Sequence, residues 1–494
     1  MSVAIQPAIS IVEQTRALIQ QARHELSLDP GTDPQTDAQL AACQRRLDEP
    51  LRVALAGTLK SGKSTLLNAL IGEEIAPTDA TECTRVVTWF TQAAAPRVAV
   101  VHDGGQRIPL PITRTGGRLH LDLGQLPAER VERLEVGWPS ALLNRYTLID
   151  TPGTSSNSPG VSARTLALLT PEEGTCETEA IVYLMRTPHR ADLALLRRLH
   201  EHADTGRGAL GILGVLSRAD EIDGGRGSFL DAARARSAYL RSAPELSSLH
   251  RDFLAVSGLL ALRGRTLRQR EFSAFEQLAA LPDEQLEAAL ASPGRLVSAA
   301  VLTPPADREH LLGAFGMAGI RAAISLIRAG ARDAPTLAAA LVQHSGLPQL
   351  HHALRTRFGD RTRQLKAHSA LRSLRAVLLR QRSPHPTRLL RAAERLLADT
   401  HPFTELRILV GLAALPVPEP IREALEHVLG GCGTAATARL DLPPDATPTQ
   451  IRTAALRSIR FWREQLRDPL LEREVRHSYH AAIRSCEGII AGSP

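Results

Sequence analysis

The sequence predicts an α/β domain with a largely parallel β-sheet, preceded and followed by all-helical regions. Between residues 51 and 262, short apolar runs alternate with stretches of helical periodicity, a pattern typical of parallel strands joined by helices. A glycine-rich loop at residues 57–64 stands between one such strand and one such helix. After about residue 262 the strand pattern fades, and helical periodicity broken by proline and glycine continues.

These patterns divide the chain into four parts. We expect residues 1–50 to form N-terminal helices that belong to a helical bundle, and residues 51–262 to form the α/β domain. Residues 263–447 are predicted to form a helical bundle or stalk, and residues 448–494 to form C-terminal helices that pack back on it.

Composition excludes several classes of protein. Of the 494 residues, 43% are hydrophobic and 22% charged, which indicates a globular chain, and only 3% are aromatic, which disfavours a stacking platform for single-stranded nucleic acid. The five cysteines form neither a CxxC pair nor a zinc-ligand spacing, so we expect reduced thiols in the cytoplasm. The longest uncharged apolar stretch, residues 408–418, is too short to span a bilayer, so we expect no transmembrane helix.

The net charge of +7 is distributed unevenly along the chain. The basic segment at residues 355–395 contains eleven arginines and Lys366 but only two acidic residues, Asp360 and Glu394. Its net charge is therefore +10. The chain contains three lysines, and two of them, Lys60 and Lys63, lie in the glycine-rich loop.

The glycine-rich loop matches the pattern G-x-x-x-x-G-K-[ST], with a strand before it and a helix after it. Glycines allow the backbone N–H groups to face phosphates, Lys63 is expected to reach the β- and γ-phosphates, and the Ser64 hydroxyl is expected to bind Mg²⁺. The alternative is a glycine-rich turn without a ligand. The predicted nucleotide-binding residues of this loop and of the helix that follows are Gly57, Ser61, Gly62, Lys63, Ser64 and Thr65.

Two later motifs also end strands. Asp150 and Gly153 form a D-x-x-G pattern, in which the carboxylate can hold Mg²⁺ through water and the glycine N–H can sense the γ-phosphate. Residues 217–220 resemble the guanine-reading pattern [NT]-K-x-D, but with Ser217 and Arg218 in its first two places. Asp220 can accept two hydrogen bonds from guanine and the stem of Arg218 can lie on the base, so we expect GTP rather than ATP.

Two further residues complete the predicted site. Ser257 follows the next strand and fits the loop that supports the base. Thr84 lies where a mobile switch would offer a hydroxyl to Mg²⁺ and the γ-phosphate, although neighbouring threonines compete for that role.

Four segments together carry a family resemblance: residues 55–70, 76–85, 150–156 and 217–222. The chain resembles the dynamin superfamily and, within it, the mycobacterial isoniazid-inducible dynamin-like proteins. The resemblance implies a dynamin-type G domain with a P-loop, helical-bundle neck and stalk regions, and GTP/GDP with Mg²⁺ as ligands. It further implies membrane fission or fusion at the inner face of the cell membrane, self-association through G domains, and possible need for a paralogous dynamin-like partner.

By position, the resemblance assigns phosphate and Mg²⁺ binding to Lys63 and Ser64, the switch role to Thr84, γ-phosphate sensing to Asp150 and Gly153, and guanine recognition to Asp220. One position departs from the family pattern. Dynamins carry Gln and Ser where this chain has Leu59 and Lys60. Leu59 cannot orient the attacking water, whereas Lys60 occupies the place of an arginine finger in related guanylate-binding proteins. We therefore hypothesise that Lys60 stimulates hydrolysis, the alternative being a lysine that only faces solvent.

Two segments are candidates for binding anionic membrane lipids. The first is the connection between two helical stretches of the basic segment, where Arg380, Arg382 and Arg388 cluster. The second is the apolar stretch at residues 408–417. For the first the alternative is a solvated arginine-rich helix face, and for the second it is burial in a bundle.

The leading prediction is therefore a cytoplasmic, peripherally membrane-associated GTPase that remodels membranes. One alternative is an RNA- or ribosome-associated GTPase, which the absence of KH, RRM and OB patterns disfavours. Another is a nucleotide-binding scaffold with weak hydrolysis, which Leu59 and the departure at Ser217 and Arg218 would explain.

Overall fold

The structure is a computed structural model of the chain. It describes residues 10–28, 33–77, 86–102, 105–115, 118–120, 130–153, 165–170, 177–187, 189–204, 209–225, 235, 253–381 and 387–492.

The α/β domain is built on a mixed β-sheet. Among the described residues its nine strands have the order β11-β10-β9-β1-β8-β2-β7-β3-β4. The strands are β1 Leu51–Gly57, β2 Thr88–Gln92, β3 Arg97–His102, β4 Gln106–Leu110, β7 Val131–Trp138, β8 Tyr146–Asp150, β9 Ala180–Met185, β10 Gly211–Ser217 and β11 Phe253–Val256, and a separate hairpin pairs β5 Thr113–Thr115 with β6 Arg118–His120.

The sheet is parallel from β11 to β8 and contains antiparallel pairs beyond it. Strand β2 runs antiparallel to β8 and parallel to β7, and β3 runs antiparallel to β7 and β4. Every residue of β9 and β10 is buried, because both faces of the central sheet are covered. The predicted fold class is confirmed. The sequence did not predict β4, β5 and β6, which are short and rich in polar side chains.

The helices mostly precede or follow the strands of this sheet along the chain. In chain order they are α1 Ile11–Ser27, α2 Pro34–Arg46, α3 Lys63–Ile71, α4 Arg190–Asp204, α5 Gly258–Thr266, α6 Gln269–Ala279, α7 Asp283–Leu290, α8 Pro293–Ser298, α9 Pro305–Arg328, α10 Ala334–His344, α11 Leu347–Ala353, α12 Thr362–Arg380, α13 Thr387–Asp399, α14 His401–Gly411, α15 Glu419–Val428, α16 Ala436–Arg439, α17 Pro448–Gln465 and α18 Arg473–Gly492. A π-helical turn at Leu354–Phe358 and a 3₁₀ turn at Gly359–Arg361 connect α11 to α12.

The helical regions contain three separate apolar cores in the described part of the chain. Helices α1, α2, α12 and α13 share one core, α5 to α10 share a second, and α14, α15, α17 and α18 share a third. The N-terminal helices form as predicted: Ser10 and Glu13 make a capping box at the start of α1, and one stripe of α1 is buried. The predicted domain boundaries remain predictions.

Buried polar contacts join the helices of the first core to the sheet, at the end opposite the glycine-rich loop. Arg46 of α2 donates a hydrogen bond to Glu179, which also accepts one from the backbone N–H of Arg52 at 2.6 Å. Lys366 of α12 donates to the carbonyl of Glu49. Lys366, which belongs to the basic segment, is therefore buried in this contact.

Helix α9 is long and apolar enough to cross a membrane by length and composition alone, and it is the one such helix among the described residues. The sequence analysis missed it because Arg321 interrupts the apolar run. The helix is broken at Gly316, where φ is 65° and ψ is 171°, and Leu311, Phe315 and Ile320 are buried in the second helical core.

Candidate nucleotide-binding site

The glycine-rich loop lies between β1 and α3 at the carboxyl edge of the parallel strands. Gly57 ends β1 with φ at 148°, and a Cβ atom there would lie 2.2 Å from the carbonyl oxygen of Leu184, so no other residue fits. Gly62 caps the start of α3 with φ at 90°. The loop therefore places the N-terminus of α3, with its free N–H groups, at the candidate site.

Lys63 is buried in this loop. Its Nζ donates hydrogen bonds to the carbonyls of Gly57 at 3.2 Å and Thr58 at 3.0 Å. Burial lowers the pKa of Lys63 below its usual range, and the carboxylate of Asp150 opposes this shift. The ammonium group is therefore held among oxygen acceptors, as a phosphate-binding lysine requires.

Ser64 and Asp150 meet although 86 residues separate them. Parallel pairing of β1 with β8 sets Leu55 opposite Asp150, so the ends of the two strands are adjacent. The Oγ of Ser64 donates a hydrogen bond to Oδ2 of Asp150 at 2.6 Å. Burial raises the pKa of the Asp150 carboxyl, against the effects of Lys63 and Ser64.

This pair fits a Mg²⁺ site. The second carboxylate oxygen, Oδ1 of Asp150, is buried without a hydrogen-bond partner among the described residues, and so is Oγ of Ser61. In the same residues no group of three or more His, Cys, Asp or Glu side chains could hold a metal ion. A cation here would therefore rely on Ser64, Asp150 and oxygens from water or phosphate, which is the ligand set that Mg²⁺ prefers.

The D-x-x-G segment packs against the glycine-rich loop. Thr151 donates a hydrogen bond through Oγ1 to the carbonyl of Leu55 at 2.8 Å. A Cβ atom at Gly153 would lie 2.8 Å from the backbone N and Cα of Leu59, so only glycine allows this approach. Gly153 thus contacts the loop from the side, and the Leu59 side chain is 54% exposed beside it.

The predicted guanine-reading residues line a cavity of about 220 Å³ next to the loop. The stem of Arg218 lies over Gly62: its Cγ is 4.0 Å from where a Cβ of Gly62 would be. Asp220 is buried against Ser257, and burial raises the pKa of its carboxyl while the hydrogen bond from Ser257 opposes the shift. Gly62, Arg218, Asp220 and Ser257 therefore lie close together in the structure, and their role in binding guanine stays a prediction.

The two residues that depart from the guanine-reading pattern, Ser217 and Arg218, both have hydrogen-bond partners. The Oγ of Ser217 donates a hydrogen bond to the carbonyl of Met185 on the neighbouring strand at 3.1 Å. Arg218 has a left-handed backbone with φ at 53°, and its guanidinium donates to Glu221 at 2.7 Å. Glu221 also pairs with Arg186 at 2.7 Å.

The sequence analysis missed several residues that support the site. Besides Glu221 and Arg186, Asn68 of α3 was missed: it accepts hydrogen bonds from the backbone N–H groups of Ile75 and Ala76 and donates to the carbonyl of Ala76. Asn68 therefore fixes the segment that leads to the predicted switch. Thr84 lies outside the described residues, and its role stays a prediction.

Lys60 is exposed in the loop and has a left-handed backbone with φ at 62°. Leu59 and Lys60 together form the exposed part of the loop.

Two of the predicted lipid-binding residues, Arg380 and Arg388, contact the helices of the first helical core. Arg388 forms an ion pair with Glu25 of α1, and Arg380 donates a hydrogen bond to Gln39 of α2. Arg382 lies outside the described residues. In the second candidate segment, Ile408 and Val417 are buried in the third helical core.

Comparisons with known proteins place this chain in a family. Residues 53–218 match the Dynamin family. The chain is 44% identical over 459 residues to the isoniazid-induced protein IniC of Mycobacterium tuberculosis strain H37Rv, with 92% of each chain covered. It is 29% identical over 245 residues to the isoniazid-induced protein IniA of the same strain, which covers 47% of this chain and 34% of IniA.

A structural comparison extends over 99% of this chain and 76% of the other, with 12% identity and a TM-score of 0.32. The solved chain comes from an oligomerised bacterial dynamin pair described as a mechanism for long-range sensing and tethering of membranes.

Proposed function

Because the chain belongs to the dynamin family, as a bacterial dynamin-like protein related to the mycobacterial isoniazid-induced proteins, we propose that it binds and hydrolyses GTP with Mg²⁺ and couples hydrolysis to membrane binding and remodelling. The observation that carries the nucleotide part is the meeting of Lys63, Ser64 and Asp150, with one buried oxygen of the Asp150 carboxylate left without a hydrogen-bond partner among the residues that the structure describes. Members of the dynamin superfamily are GTPases, which supports the same assignment.

The residues of the site have separate roles in this proposal. Lys63 and the N-terminus of α3 bind phosphate oxygens and compensate their charge. Ser64 and Asp150 hold the cation, and Mg²⁺ when bound supplies positive charge to the phosphates. Asp220 accepts hydrogen bonds from the guanine edge, and the Arg218 stem covers the base.

Lys60 is the proposed hydrolytic residue of the loop. Its ammonium is exposed and free to reach a phosphate group, and the glycine-rich loop gives it a fixed backbone position. A cation at this position would stabilise charge that develops during hydrolysis.

We further propose that two G domains associate across the face that carries Leu59 and Lys60. The support for this proposal is membership of the dynamin family, whose members are expected to self-associate through their G domains, and Leu59, which is 54% exposed, would lie in such a contact. The partner is a second copy or a paralogous dynamin-like chain, since IniA is a relative of this chain. The protein would act in the cytoplasm, attached peripherally to the membrane.

The test measures GTP and ATP turnover by wild type and Lys63→Ala, with and without vesicles that contain anionic lipids, while vesicle size is followed. We expect turnover of GTP but not ATP, a loss on the order of 100-fold or more in Lys63→Ala, and a rise in turnover on vesicles whose size changes. Turnover that does not need Lys63 contradicts the proposal.

One observation favours a scaffold with weak hydrolysis as the second candidate. Leu59 has no polar group with which to orient water, and its backbone is packed against Gly153. GTP binding with no measurable turnover, either alone or on vesicles, would support the scaffold.

A further inference from the structure

Helix α17 of the third helical core has a basic face opposite its buried face. Ala455, Ile459 and Trp462 are buried on one side. At 100° per residue, the exposed residues of α17 and the turn after it spread over about half of the circumference. The charged exposed residues of α17 and of the turn up to Leu470 are five arginines and two acidic residues: Arg452, Arg457, Arg460, Arg463, Arg467, Glu464 and Asp468.

Most of this positive charge is not compensated. Arg463 lies 3.5 Å from Glu487, and Arg467 lies 2.8 Å from Glu464. All four side chains are more than half exposed, so these ion pairs are weak and hold the arginines only loosely. Three arginines have no carboxylate within ion-pair distance among the described residues: Arg452, Arg457 and Arg460.

Apolar side chains are interleaved with these arginines. Leu456 is 40% exposed and Phe461 is 39% exposed on the same half of the helix. In the turn between α17 and α18, Leu470 is 88% exposed, next to Pro469. We call this set of arginines together with Leu456, Phe461 and Leu470 the α17 face.

The predicted lipid-binding cluster at Arg380 and Arg388 differs from the α17 face in one respect. Its arginines are engaged by side chains of α1 and α2, with Arg388 held by Glu25 and Arg380 bonded to Gln39. Glu25 of α1 therefore offsets part of the +10 charge that the basic segment has by itself.

We propose that the α17 face is the surface through which this protein binds an anionic lipid bilayer. The inference rests on the membrane part of the proposed function. The uncompensated arginines contact lipid phosphates, and the exposed leucines and Phe461 enter the interface between headgroups and acyl chains. The phosphate backbone of RNA would also attract the arginines, but it offers no apolar partner to Leu470, which favours the bilayer.

The main experiment compares two triple variants with the same change in charge. The first carries Arg452→Ala, Arg457→Ala and Arg460→Ala, and the matched control carries Arg380→Ala, Arg382→Ala and Arg388→Ala. Binding of the full-length protein is measured by flotation with vesicles of phosphatidylglycerol and cardiolipin, and with vesicles of phosphatidylcholine. Basal GTP turnover without vesicles is expected to be unchanged in both variants, which shows that they are folded.

Each arginine at an anionic surface contributes about a fivefold factor in binding, so the first variant is expected to bind the anionic vesicles about 100-fold more weakly. The control variant is expected to lose less than about tenfold, and added salt is expected to weaken wild-type binding. If wild type binds and the first variant binds equally well, the assignment of the α17 face as the membrane-binding surface is wrong, while the proposed function stands. If wild type does not bind these vesicles, both the assignment of the α17 face and the membrane part of the proposed function fail.

A second readout detects insertion directly. The three native tryptophans, Trp89, Trp138 and Trp462, are all buried, so Leu470→Trp adds an exposed fluorophore. We expect its emission to shift to the blue on anionic vesicles and to be quenched by lipids that carry a quencher in the acyl chain. Loss of binding to a single-stranded RNA oligonucleotide in the first variant, with no effect on vesicles, would assign the face to nucleic acid and overturn the proposal.

Discussion

The guanidinium of Arg263 on α5 lies 2.8 Å from the carboxylate of Glu74, and the two side chains are only 16% and 15% exposed. Nε of Arg263 also donates a hydrogen bond to the carbonyl of Ala314 at 3.0 Å, two residues before the break at Gly316 in α9. Glu74 lies in the segment that leads from α3 to the predicted switch. Arg263 thus connects that segment to the second helical core.

We expect Arg263→Ala to lower the free energy of unfolding by about 2–4 kcal/mol, because it leaves Glu74 and the Ala314 carbonyl largely buried without this partner. Urea unfolding measures the change. The matched control is Arg270→Ala, since Arg270 pairs with Asp307 but is itself 78% exposed, and it should cost no more than about 1 kcal/mol. Equal losses in the two variants would contradict the role of Arg263.

Ser64→Ala is expected to raise the Mg²⁺ concentration needed for half-maximal GTP turnover by about tenfold or more. The substitution removes a hydroxyl ligand and leaves Oδ2 of Asp150 without its 2.6 Å hydrogen bond. Turnover is measured in a Mg²⁺ titration, and GDP binding in the presence of a chelator serves as the control. If the Mg²⁺ requirement does not change, Ser64 is not a ligand.

Asp220→Asn should exchange guanine for xanthine recognition. In the proposed site the carboxylate would accept two hydrogen bonds from the guanine edge, whereas an amide presents one acceptor and one donor, which matches the additional carbonyl of xanthine. We expect GTP binding to weaken by about 100-fold and binding of xanthosine triphosphate to become detectable in a competition assay. Ser217→Ala is the control, because the Ser217 hydroxyl is bonded to the Met185 carbonyl, and it should retain the preference for GTP.

The Glu405 carboxylate predicts a loss of stability in acid. Burial opposes its ionisation, but hydrogen bonds from His401 and Arg439 and the charge of Arg361 outweigh burial and bring the pKa of Glu405 down to about 2, from 4.5 for a free carboxyl. A pKa that is lower in the folded state contributes stability that is present above about pH 4.5 and is lost as the pH falls toward about 2.

Urea unfolding at several pH values separates this contribution from others. Glu405→Gln is expected to be about 3–5 kcal/mol less stable than wild type near neutral pH, because Arg439 and Arg361 lose their buried counter-charge. The difference should shrink as the pH falls through the window above. A difference that is independent of pH would show that the carboxylate charge is not responsible.

Local sequence predicted the α/β fold and the grouping of the motifs at one edge of the sheet, because each motif ends a buried strand and parallel pairing brings strand ends together. Ser64 and Asp150 meet for that reason. The functional roles of the site residues stay predictions. Long-range charge pairing could not be predicted in this way. The +10 segment is partly neutralised by residues of α1 and by Glu405, and nothing in the spacing along the chain indicates that Glu25 would face Arg388.

Lys60 supplies the last prediction, because its backbone and its ammonium group can be tested separately. A non-glycine residue in the left-handed region costs about 1 kcal/mol, so Lys60→Gly removes both this strain and the ammonium. We expect Lys60→Gly to be as stable as wild type or slightly more stable, yet to hydrolyse GTP at least about tenfold more slowly in a single turnover. Lys60→Arg keeps a cation at this position and should retain most of the rate. If Lys60→Gly and wild type have equal single-turnover rates, Lys60 only faces solvent, and the charge that develops during hydrolysis must be stabilised by Lys63 and the N-terminus of α3.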